Sequence, residues 1–173
     1  MIVILIGYMA SGKSSLGKLL SKKVNYQFID LDHYIEEKEN RSVSEIFRTE
    51  GEIYFRKLES VYLKKIIENS NNLILSVGGG TPCYSGNMDT ILKAKNVKSI
   101  YLQSSLEKLV KRLKRNKSKR PLIAHIETDA LLNEFIGKHL FERSQFYEQA
   151  NIKIATDNKP KKEIVKELVS TLL

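Results

Sequence analysis

Short hydrophobic runs and longer amphipathic segments alternate along the chain. Continuous apolar runs of four to seven residues are typical of strands buried on both faces of a sheet. Ile2–Ile6 is such a run. Mainly apolar stretches with one or two polar residues occur at 73–77, 97–102 and Ile152–Ala155, and a further short stretch at 26–31 ends in acidic residues. The pattern therefore predicts a strand at each of these positions.

The segments between these runs carry apolar residues every three or four positions, which is the pattern of a helix with one buried face. Phe55, Leu58 and Tyr62 follow this spacing. Ser42 with Glu45 three residues later is a capping-box pattern that predicts another helix start. Helices are predicted at residues 13–23, 42–47, 52–68, 106–113, 129–149 and 160–172.

Strands that alternate with helices predict an α/β fold. Right-handed βαβ units would build a mainly parallel sheet with helices on both faces. No repeat, low-complexity tract or linker interrupts residues 1–173, so we expect a single domain. Residues 115–128 are polar, contain Pro121 and lack clear periodicity, and such a segment in a compact domain is often functional. We interpret it as a mobile lid.

The composition excludes several classes of protein. With 42% hydrophobic and 28% charged residues, the chain is neither disordered nor collagen-like. No apolar run approaches the roughly 20 residues that a membrane helix requires, and the apolar start lacks the basic flank of a signal peptide. The single cysteine, Cys83, excludes an internal disulfide and fits a reducing compartment. We expect a cytoplasmic protein with no membrane partner.

The net charge of +9 is concentrated in one short basic segment. A basic run can bind nucleic acid, but this one lacks the interleaved aromatic residues on which bases stack. A positive field also suits a small anion such as a nucleotide, so charge alone does not decide between them. The segment contains Lys108, Lys111, Arg112, Lys114, Arg115, Lys117, Lys119 and Arg120.

The strongest motif is a phosphate-binding loop at residues 7–14, here called the phosphate loop. Its residues fit G-x-x-x-x-G-K-[ST] between a predicted strand and a predicted helix, whereas an ordinary turn would not need every fixed position. Backbone N–H groups and the start of the helix bind phosphate oxygens in such loops. Lys13 would reach the β- and γ-phosphates, and the Ser14 hydroxyl would bind Mg²⁺. The predicted nucleotide contacts are Ala10, Ser11, Gly12, Lys13, Ser14 and Ser15.

Two carboxylates follow the second predicted strand. Alternation along a strand would point Asp30 and Asp32 the same way, toward the ligand crevice at the carboxyl end of the sheet. The third strand carries no Asp to hold a metal ion, so Asp30 is the candidate Mg²⁺ residue and Asp32 is left for an acceptor. The alternative is that one of them caps the next helix.

Glycines and arginines supply the remaining candidates. Gly78, Gly79 and Gly80 end the third strand, where close approach to a ligand would explain three flexible residues, although a plain loop is the alternative. Arg56 and Arg143 could bind an anion through their guanidinium forks, although each alone resembles a surface residue.

Three histidines, His33, His125 and His139, lack the spacing of metal ligands and receive no role. Tyr8 and Met9 occupy variable positions of the phosphate loop, where we expect contact or packing residues.

In these motifs the chain closely resembles the shikimate kinases, over essentially its whole length. The resemblance implies a five-stranded parallel sheet of order 2-3-1-4-5, of the P-loop kinase type with a mobile lid. It implies transfer of the γ-phosphoryl group of MgATP to the 3-hydroxyl of shikimate, in the route to aromatic amino acids. The matching segments are residues 7–14, Asp30-Leu31-Asp32, 51–59, 78–80, Arg120-Pro121-Leu122, and Arg143 with Tyr147.

The resemblance also implies a role for each matching residue. Lys13, Asp32 and Arg120 would be catalytic, with Arg120 meeting the transferring phosphoryl group and Arg112 bordering the adenine pocket. Arg56 and Arg143 would hold the shikimate carboxylate. The residues implied to bind the substrate are Asp32, Arg56, Gly78, Gly79, Gly80 and Arg143. Those implied to bind the nucleotide are Arg112 and Arg120 together with the phosphate-loop contacts given above. Those implied to bind the metal ion are Ser14 and Asp30.

The sequence departs from the family pattern at two places, and three other functions remain open. Pro82-Cys83 changes the pocket wall, and Asn158 or Lys159 stands where an arginine often contacts adenine. The alternatives are a kinase of gluconate or of a nucleoside monophosphate, a nucleic-acid-binding NTPase, and a regulatory nucleotide-binding module. We expect ATP, ADP and shikimate as the only partners of a monomer that binds no nucleic acid.

Overall fold

The computed structural model describes residues 1–120 and 122–172, so Pro121 of the predicted lid lies outside the described residues. Five parallel strands form one sheet in the order β2-β3-β1-β4-β5, which confirms the predicted α/β class and strand order. The strands are β1 (Ile2–Ile6), β2 (Gln27–Asp30), β3 (Leu73–Ser76), β4 (Val97–Gln103) and β5 (Ile152–Ala155).

Helices cover the sheet on both faces. They are α1 (Lys13–Val24), α2 (Leu31–Glu39), α3 (Val43–Glu50), α4 (Glu52–Asn69), α5 (Asn87–Lys93), α6 (Leu106–Arg115), α7 (Asp129–Tyr147) and α8 (Lys161–Leu172), with 3₁₀ turns at Thr81–Cys83 and Lys117–Lys119. The sequence analysis did not predict α2 or α5. No helix among the described residues combines the length and the apolar character needed to cross a bilayer.

The central strand β1 is buried on both faces, as its unbroken apolar run predicts. Ile4 belongs to the core on one face, together with residues of α4 and α7. Leu5 belongs to the second core, which α1 and α8 cover. A parallel sheet enclosed in this way leaves its strand ends as the natural place for a ligand.

The predicted site residues meet at the carboxyl ends of three adjacent strands. The phosphate loop follows β1, Asp30 is the last residue of β2, and Gly78 lies just beyond β3. Because these strands are neighbours in the order β2-β3-β1, the three segments share one edge of the sheet.

One detail of the sequence analysis is wrong at this edge. Asp32 does not extend β2, because Asp30 ends the strand and caps α2, with its Oδ1 accepting the backbone N–H of Asp32 at 3.2 Å. Strand alternation therefore does not orient the two carboxylates. The capping alternative is correct for Asp30, and Asp32 lies in the first turn of a helix.

Candidate active site

The phosphate loop wraps around the ammonium group of its own lysine. Lys13 Nζ donates to the carbonyl oxygens of Gly7 and Tyr8 at 2.8 and 2.9 Å. The lysine is buried, and burial lowers its pKa from 10.5 to about 8. Gly12 adopts a left-handed backbone with φ of 98°, which lets the loop turn into α1. A buried ammonium whose hydrogen-bond partners, among residues 1–120 and 122–172, are two carbonyl oxygens is suited to an incoming anion.

Two further predicted nucleotide residues contact the same loop. Arg112 of α6 donates from Nη1 to the carbonyl oxygen of Ala10 at 2.8 Å. Ser15 donates its hydroxyl to the carbonyl of Gly12 at 3.2 Å, so its side chain stays on the helix. The Ser11 hydroxyl is buried and has no hydrogen-bond partner among the described residues.

Ser14 and Asp30 face each other across the end of the sheet. The Ser14 hydroxyl donates to Asp30 Oδ2 at 2.5 Å. The Ser76 hydroxyl oxygen lies 3.4 Å from the Ser14 hydroxyl oxygen. Mg²⁺ prefers oxygen ligands and often uses only one or two carboxylates alongside substrate phosphates. The donor set of one hydroxyl and one carboxylate therefore fits Mg²⁺ bound to a nucleotide.

Asp32 is a buried carboxyl with an abnormal acidity. Burial raises its pKa from 3.8 to about 6, the nearby carboxylates of Asp30 and Glu59 add to the increase, and Lys13 opposes it. A carboxyl of this kind can accept a proton close to neutral pH.

Three successive glycines leave room for the predicted acceptor-binding side chains. A Cβ atom on Gly80 would lie 2.6 Å from Arg56 Nη1, and one on Gly79 would lie 3.2 Å from Arg143 Nη1. On Gly78 it would lie 3.2 Å from Asp32 Oδ1. The close approach predicted for these glycines is thus an approach of arginine and aspartate side chains to the backbone.

Arg56 is held by two carboxylates of its own helix. Its Nη1 donates to Glu59 Oε2 at 2.7 Å and its Nη2 to Glu52 Oε1 at 3.2 Å. Its guanidinium carbon also lies 4.1 Å from the centre of the Tyr84 ring, a cation–π distance. Arg56 is therefore fixed in place before any ligand binds.

Glu59 is a site residue that the sequence analysis missed. It is 1% exposed, and its Oε1 accepts the Thr81 hydroxyl at 2.6 Å while Oε2 binds Arg56. Asn87 Nδ2 in turn donates to the Thr81 carbonyl at 2.9 Å. The available signal was the acid–base pair three residues apart on a predicted helix, Arg56 and Glu59.

Arg143 reaches the site from α7 and lies against Gly79. Its guanidinium lies 6.0 Å from the centre of the Tyr8 ring. One turn further along α7, the Tyr147 hydroxyl donates to the Gly79 carbonyl at 2.6 Å. One turn earlier, His139 Nδ1 lies 2.8 Å from the Tyr8 hydroxyl. The sequence analysis gave no role to His139 and no specific contact to Tyr8.

Arg120 completes a cavity of about 340 Å³ at the sheet edge. Its Nε is buried and has no hydrogen-bond partner among the described residues, so it can still bind an anion. The polar residues that line the cavity include Lys13, Ser14, Ser15, Asp30, Asp32, Ser76 and Arg120. The three residues implied as catalytic therefore meet in one place.

The predicted lid packs against the body of the protein in this structure. Ile123 and Ile126 are buried, and Lys117 Nζ donates to the carbonyl of Ile126. Its mobility stays a prediction.

Of the two departures from the family pattern, Cys83 lies beside the site, with its Sγ 4.0 Å from the Gly79 carbonyl oxygen. Lys159 pairs with Glu167 at 2.6 Å. Cys83 is half-buried, and burial raises its pKa from 9.0 to about 11, so the thiol is a weak nucleophile.

Comparison with known proteins places the chain in one family. The family profile described as "Shikimate kinase" matches residues 9–173. The shikimate kinase of Flavobacterium psychrophilum is 48% identical over 166 residues, which cover 96% of this chain and 95% of the relative.

Solved structures agree with the sequence comparison. The crystal structure of shikimate kinase from Bacteroides thetaiotaomicron is 35% identical and superposes with a TM-score of 0.90, over 99% of this chain and 98% of the other. The Acinetobacter baumannii enzyme, solved in complex with shikimate, is 27% identical with a TM-score of 0.85, over 99% and 92% of the two chains.

Proposed function

Since the chain belongs to the shikimate kinase family, we propose that its site has a nucleotide end and an acceptor end that meet at Lys13, Asp32 and Arg120. The protein is an ATP-dependent kinase that transfers the γ-phosphoryl group of ATP to the 3-hydroxyl of shikimate. The observation that supports the two ends is the cavity shared by these three residues. The phosphate loop, Gly78 and Gly79 line it, Arg143 approaches Gly79, and Arg56 approaches the adjacent Gly80.

The nucleotide end consists of the phosphate loop and the arginines above it. Lys13 leaves the carbonyls of Gly7 and Tyr8 and binds the β- and γ-phosphates, while the N–H groups of residues 10–15 hold the phosphate oxygens. Arg112 borders the adenine pocket because it already contacts the loop at Ala10. Arg120 lies over the γ-phosphoryl group, where charge spreads over its oxygens in the transition state.

Ser14 and Asp30 are the residues that would hold Mg²⁺. Their oxygens are in contact and face the cavity, so the pair fits a hard cation. When bound, Mg²⁺ neutralises charge on the β- and γ-phosphates. Asp30 is already oriented by capping α2, so the carboxylate needs little rearrangement.

The acceptor end holds shikimate by its carboxylate and its hydroxyls. Arg56 and Arg143 bind the carboxylate, and the backbone N–H groups of Gly79 and Gly80 approach the ring. Asp32 accepts a hydrogen bond from the 3-hydroxyl. That oxygen then forms a bond to the γ-phosphorus, the bond from phosphorus to the bridging oxygen of ADP breaks, and the hydroxyl proton passes to the Asp32 carboxylate.

The transfer requires little covalent chemistry from the protein. A loose transition state depends mainly on alignment and charge neutralisation, which Lys13 and Arg120 supply. Orientation of the hydroxyl is then the first task of Asp32, and proton acceptance follows as the new bond forms. Closure of the predicted lid, residues 115–128, would keep water from hydrolysing ATP.

The acceptor assignment can be tested with the purified protein by measuring ADP formation from MgATP. Shikimate, gluconate and AMP are compared as acceptors against a reaction without acceptor. We expect shikimate alone to stimulate ADP formation. Stimulation by gluconate or AMP in its place would overturn the acceptor end while leaving the phosphate loop assignment intact.

We also propose that the protein acts as a single-domain monomer in the cytoplasm. The lone Cys83 fits a reducing compartment. Size-exclusion chromatography with light scattering should give the mass of one 19.8 kDa chain at assay concentration, and a dimer mass would contradict the monomer.

A further inference from the structure

Tyr8 connects two parts of the site that are far apart in the sequence. Its backbone carbonyl accepts a hydrogen bond from Lys13 Nζ at 2.9 Å, at the nucleotide end. Its side chain is 1% exposed and extends to α7, where the hydroxyl lies 2.8 Å from His139 Nδ1. The two rings meet edge to face, with centroids 5.5 Å apart and an interplanar angle of 83°.

The imidazole of His139 is held on two sides. The Phe135 ring, one turn earlier on α7, lies 5.4 Å from it, and Tyr8 contacts it from the phosphate loop. Burial, with a smaller contribution from the nearby Arg143, lowers the pKa of His139 from 6.5 to about 4. The ring is therefore neutral at neutral pH, and Nδ1 can accept the proton of the buried Tyr8 hydroxyl.

The two arginines of the acceptor end are supported differently. Arg56 forms ion pairs with Glu59 at 2.7 Å and with Glu52 at 3.2 Å. Arg143 forms no ion pair within 4.0 Å with the residues that the structure describes. Its position therefore depends on where α7 lies, and His139 precedes it by one helical turn on that helix.

We propose that the hydrogen bond between Tyr8 and His139 is a positioning contact that holds α7, and with it Arg143, against the phosphate loop. The loop end of this contact is rigid because β1 and α1 flank it. α7 is also held one turn beyond Arg143 by the hydrogen bond from the Tyr147 hydroxyl to the Gly79 carbonyl, so the Tyr8 contact fixes this helix on the other side of Arg143. In this proposal Tyr8, which is 1% exposed, and His139 act through Arg143, so the inference rests on the role proposed for Arg143.

The contact should influence shikimate much more than ATP. Without the hydrogen bond, the turn of α7 that carries Arg143 can shift away from the position that binds the carboxylate. We expect the KM for shikimate to rise about fivefold, the equilibrium effect of one net hydrogen bond. The KM for ATP should change less than about twofold, because loss of the side-chain contact leaves Lys13 and the backbone N–H groups of the phosphate loop available to the phosphates.

Variants of both partners test this proposal. Tyr8→Phe removes only the hydroxyl, and His139→Leu removes the acceptor while preserving an apolar side chain. His139→Asn is the matched control, since its amide oxygen can take the position of Nδ1. For each variant and for the Tyr8→Phe/His139→Leu double variant, the KM for shikimate, the KM for ATP, kcat and Tm are measured.

A positioning role and a merely stabilising role give different results. For positioning, Tyr8→Phe and His139→Leu each raise the shikimate KM, and His139→Asn leaves it close to the wild-type value. The double variant keeps the shikimate KM raised even where Tm recovers. Recovery of Tm is expected because a buried polar pair replaced on both sides leaves no unsatisfied group. An unchanged shikimate KM in Tyr8→Phe and His139→Leu, or a shikimate KM that returns with Tm in the double variant, would overturn the proposal.

Arg143→Ala, measured in the same assay, separates this inference from the proposed function. If Arg143→Ala raises the shikimate KM and His139→Leu does not, the positioning contact is wrong and the acceptor end stands. If Arg143→Ala leaves the shikimate KM unchanged, the proposed role of Arg143 is wrong and the positioning contact is wrong with it.

Discussion

At the scale of single residues, Lys13 is the group on which turnover depends most. Its ammonium is buried and held by two carbonyl oxygens, so no exposed cation can replace it at the phosphates. We expect Lys13→Met to lower kcat by about 10³-fold or more, because charge stabilisation in the transition state is lost. Coupled measurement of ADP formation checks this loss.

Calorimetry with shikimate supplies the control for Lys13→Met. Shikimate should still bind the variant within about threefold of the wild-type affinity, since the change is confined to the nucleotide end. A large loss of shikimate affinity would instead indicate a general collapse of the site.

The burial that suits the Asp32 carboxyl to accept a proton also destabilises the folded protein when this carboxyl is ionised. Its folded-state pKa of about 6 lies above the ordinary 3.8, so folding disfavours its ionised form. The penalty is absent below the ordinary pKa and is complete once the pH exceeds about 6. Asp32→Asn, measured without nucleotide and with EDTA, should therefore raise Tm by several degrees at pH 8 and much less at pH 4.

Kinetics on Asp32→Asn give the other half of this prediction. Loss of proton acceptance and of hydroxyl orientation should lower kcat by about 10²-fold or more. An equal change in the Tm of Asp32→Asn at pH 8 and pH 4 would contradict the destabilisation attributed to the buried carboxylate. A nearly normal kcat would contradict the role of Asp32 in proton acceptance and hydroxyl orientation.

At the scale of elements, the glycines after β3 form the surface against which the arginines rest. Gly80 has an ordinary φ of −85°, so alanine fits its backbone, but the added Cβ would lie 2.6 Å from Arg56 Nη1. The guanidinium must then move away from the acceptor end. We expect Gly80→Ala to raise the shikimate KM about tenfold or more, because a charge-assisted contact is misplaced.

The matched control for Gly80→Ala is Gly86→Ala. Gly86 has a φ of 65° and nothing within 4 Å of its added Cβ, so the second substitution costs backbone strain without touching the site. It should lower Tm more than Gly80→Ala and leave the shikimate KM unchanged. The reverse pattern would contradict the explanation of Gly80.

The elements also mark the limit of what the pattern of residues predicts. The strands lie within one residue of their predicted ends. β1 is the clearest case, because a strand buried over its whole length carries a continuous apolar run. The sequence analysis missed α2 because the helix begins directly after β2, with no turn residues between them. Its buried residues are only Leu31 and Ile35. The sequence offered Asp30 as a metal-binding residue, with capping of the next helix by one of the two aspartates as the alternative, and in the structure Asp30 ends β2 and caps α2.

Contacts between distant helices were harder to predict than motifs. The phosphate loop and the three successive glycines can be recognised in the sequence because backbone geometry restricts their residue types. His139 carries no such signal, because its partner Tyr8 lies 131 residues away and only the packing of α7 brings them together. Glu59 lies between these cases, since its partner Arg56 is three residues away on the same helix.

At the scale of the whole molecule, the order of the strands brings the two ends together. β1 lies between β3 and β4, so the phosphate loop that follows it lies beside the glycines that follow β3. Arg112 of α6 and Arg143 of α7 come later in the sequence, and both side chains contact or approach residues at this same edge. Family resemblance implied this order, and the alternation of elements alone predicted only a parallel sheet.

The same arrangement assigns each arginine to one substrate. Arg56 belongs to the acceptor end through Gly80, and Arg112 belongs to the nucleotide end through the Ala10 carbonyl. The two side chains lie on different helices, and none of the hydrogen bonds or ion pairs described above joins them. Their substitutions should therefore have separable effects.

The most direct test is a crossed comparison of Michaelis constants for Arg56→Lys and Arg112→Lys. Lysine keeps the positive charge beside Glu59 and removes the guanidinium fork. We expect Arg56→Lys to raise the KM for shikimate about tenfold or more with little change for ATP, and Arg112→Lys to do the reverse. If each variant raised both constants equally, the division of the site into a nucleotide end and an acceptor end would be wrong.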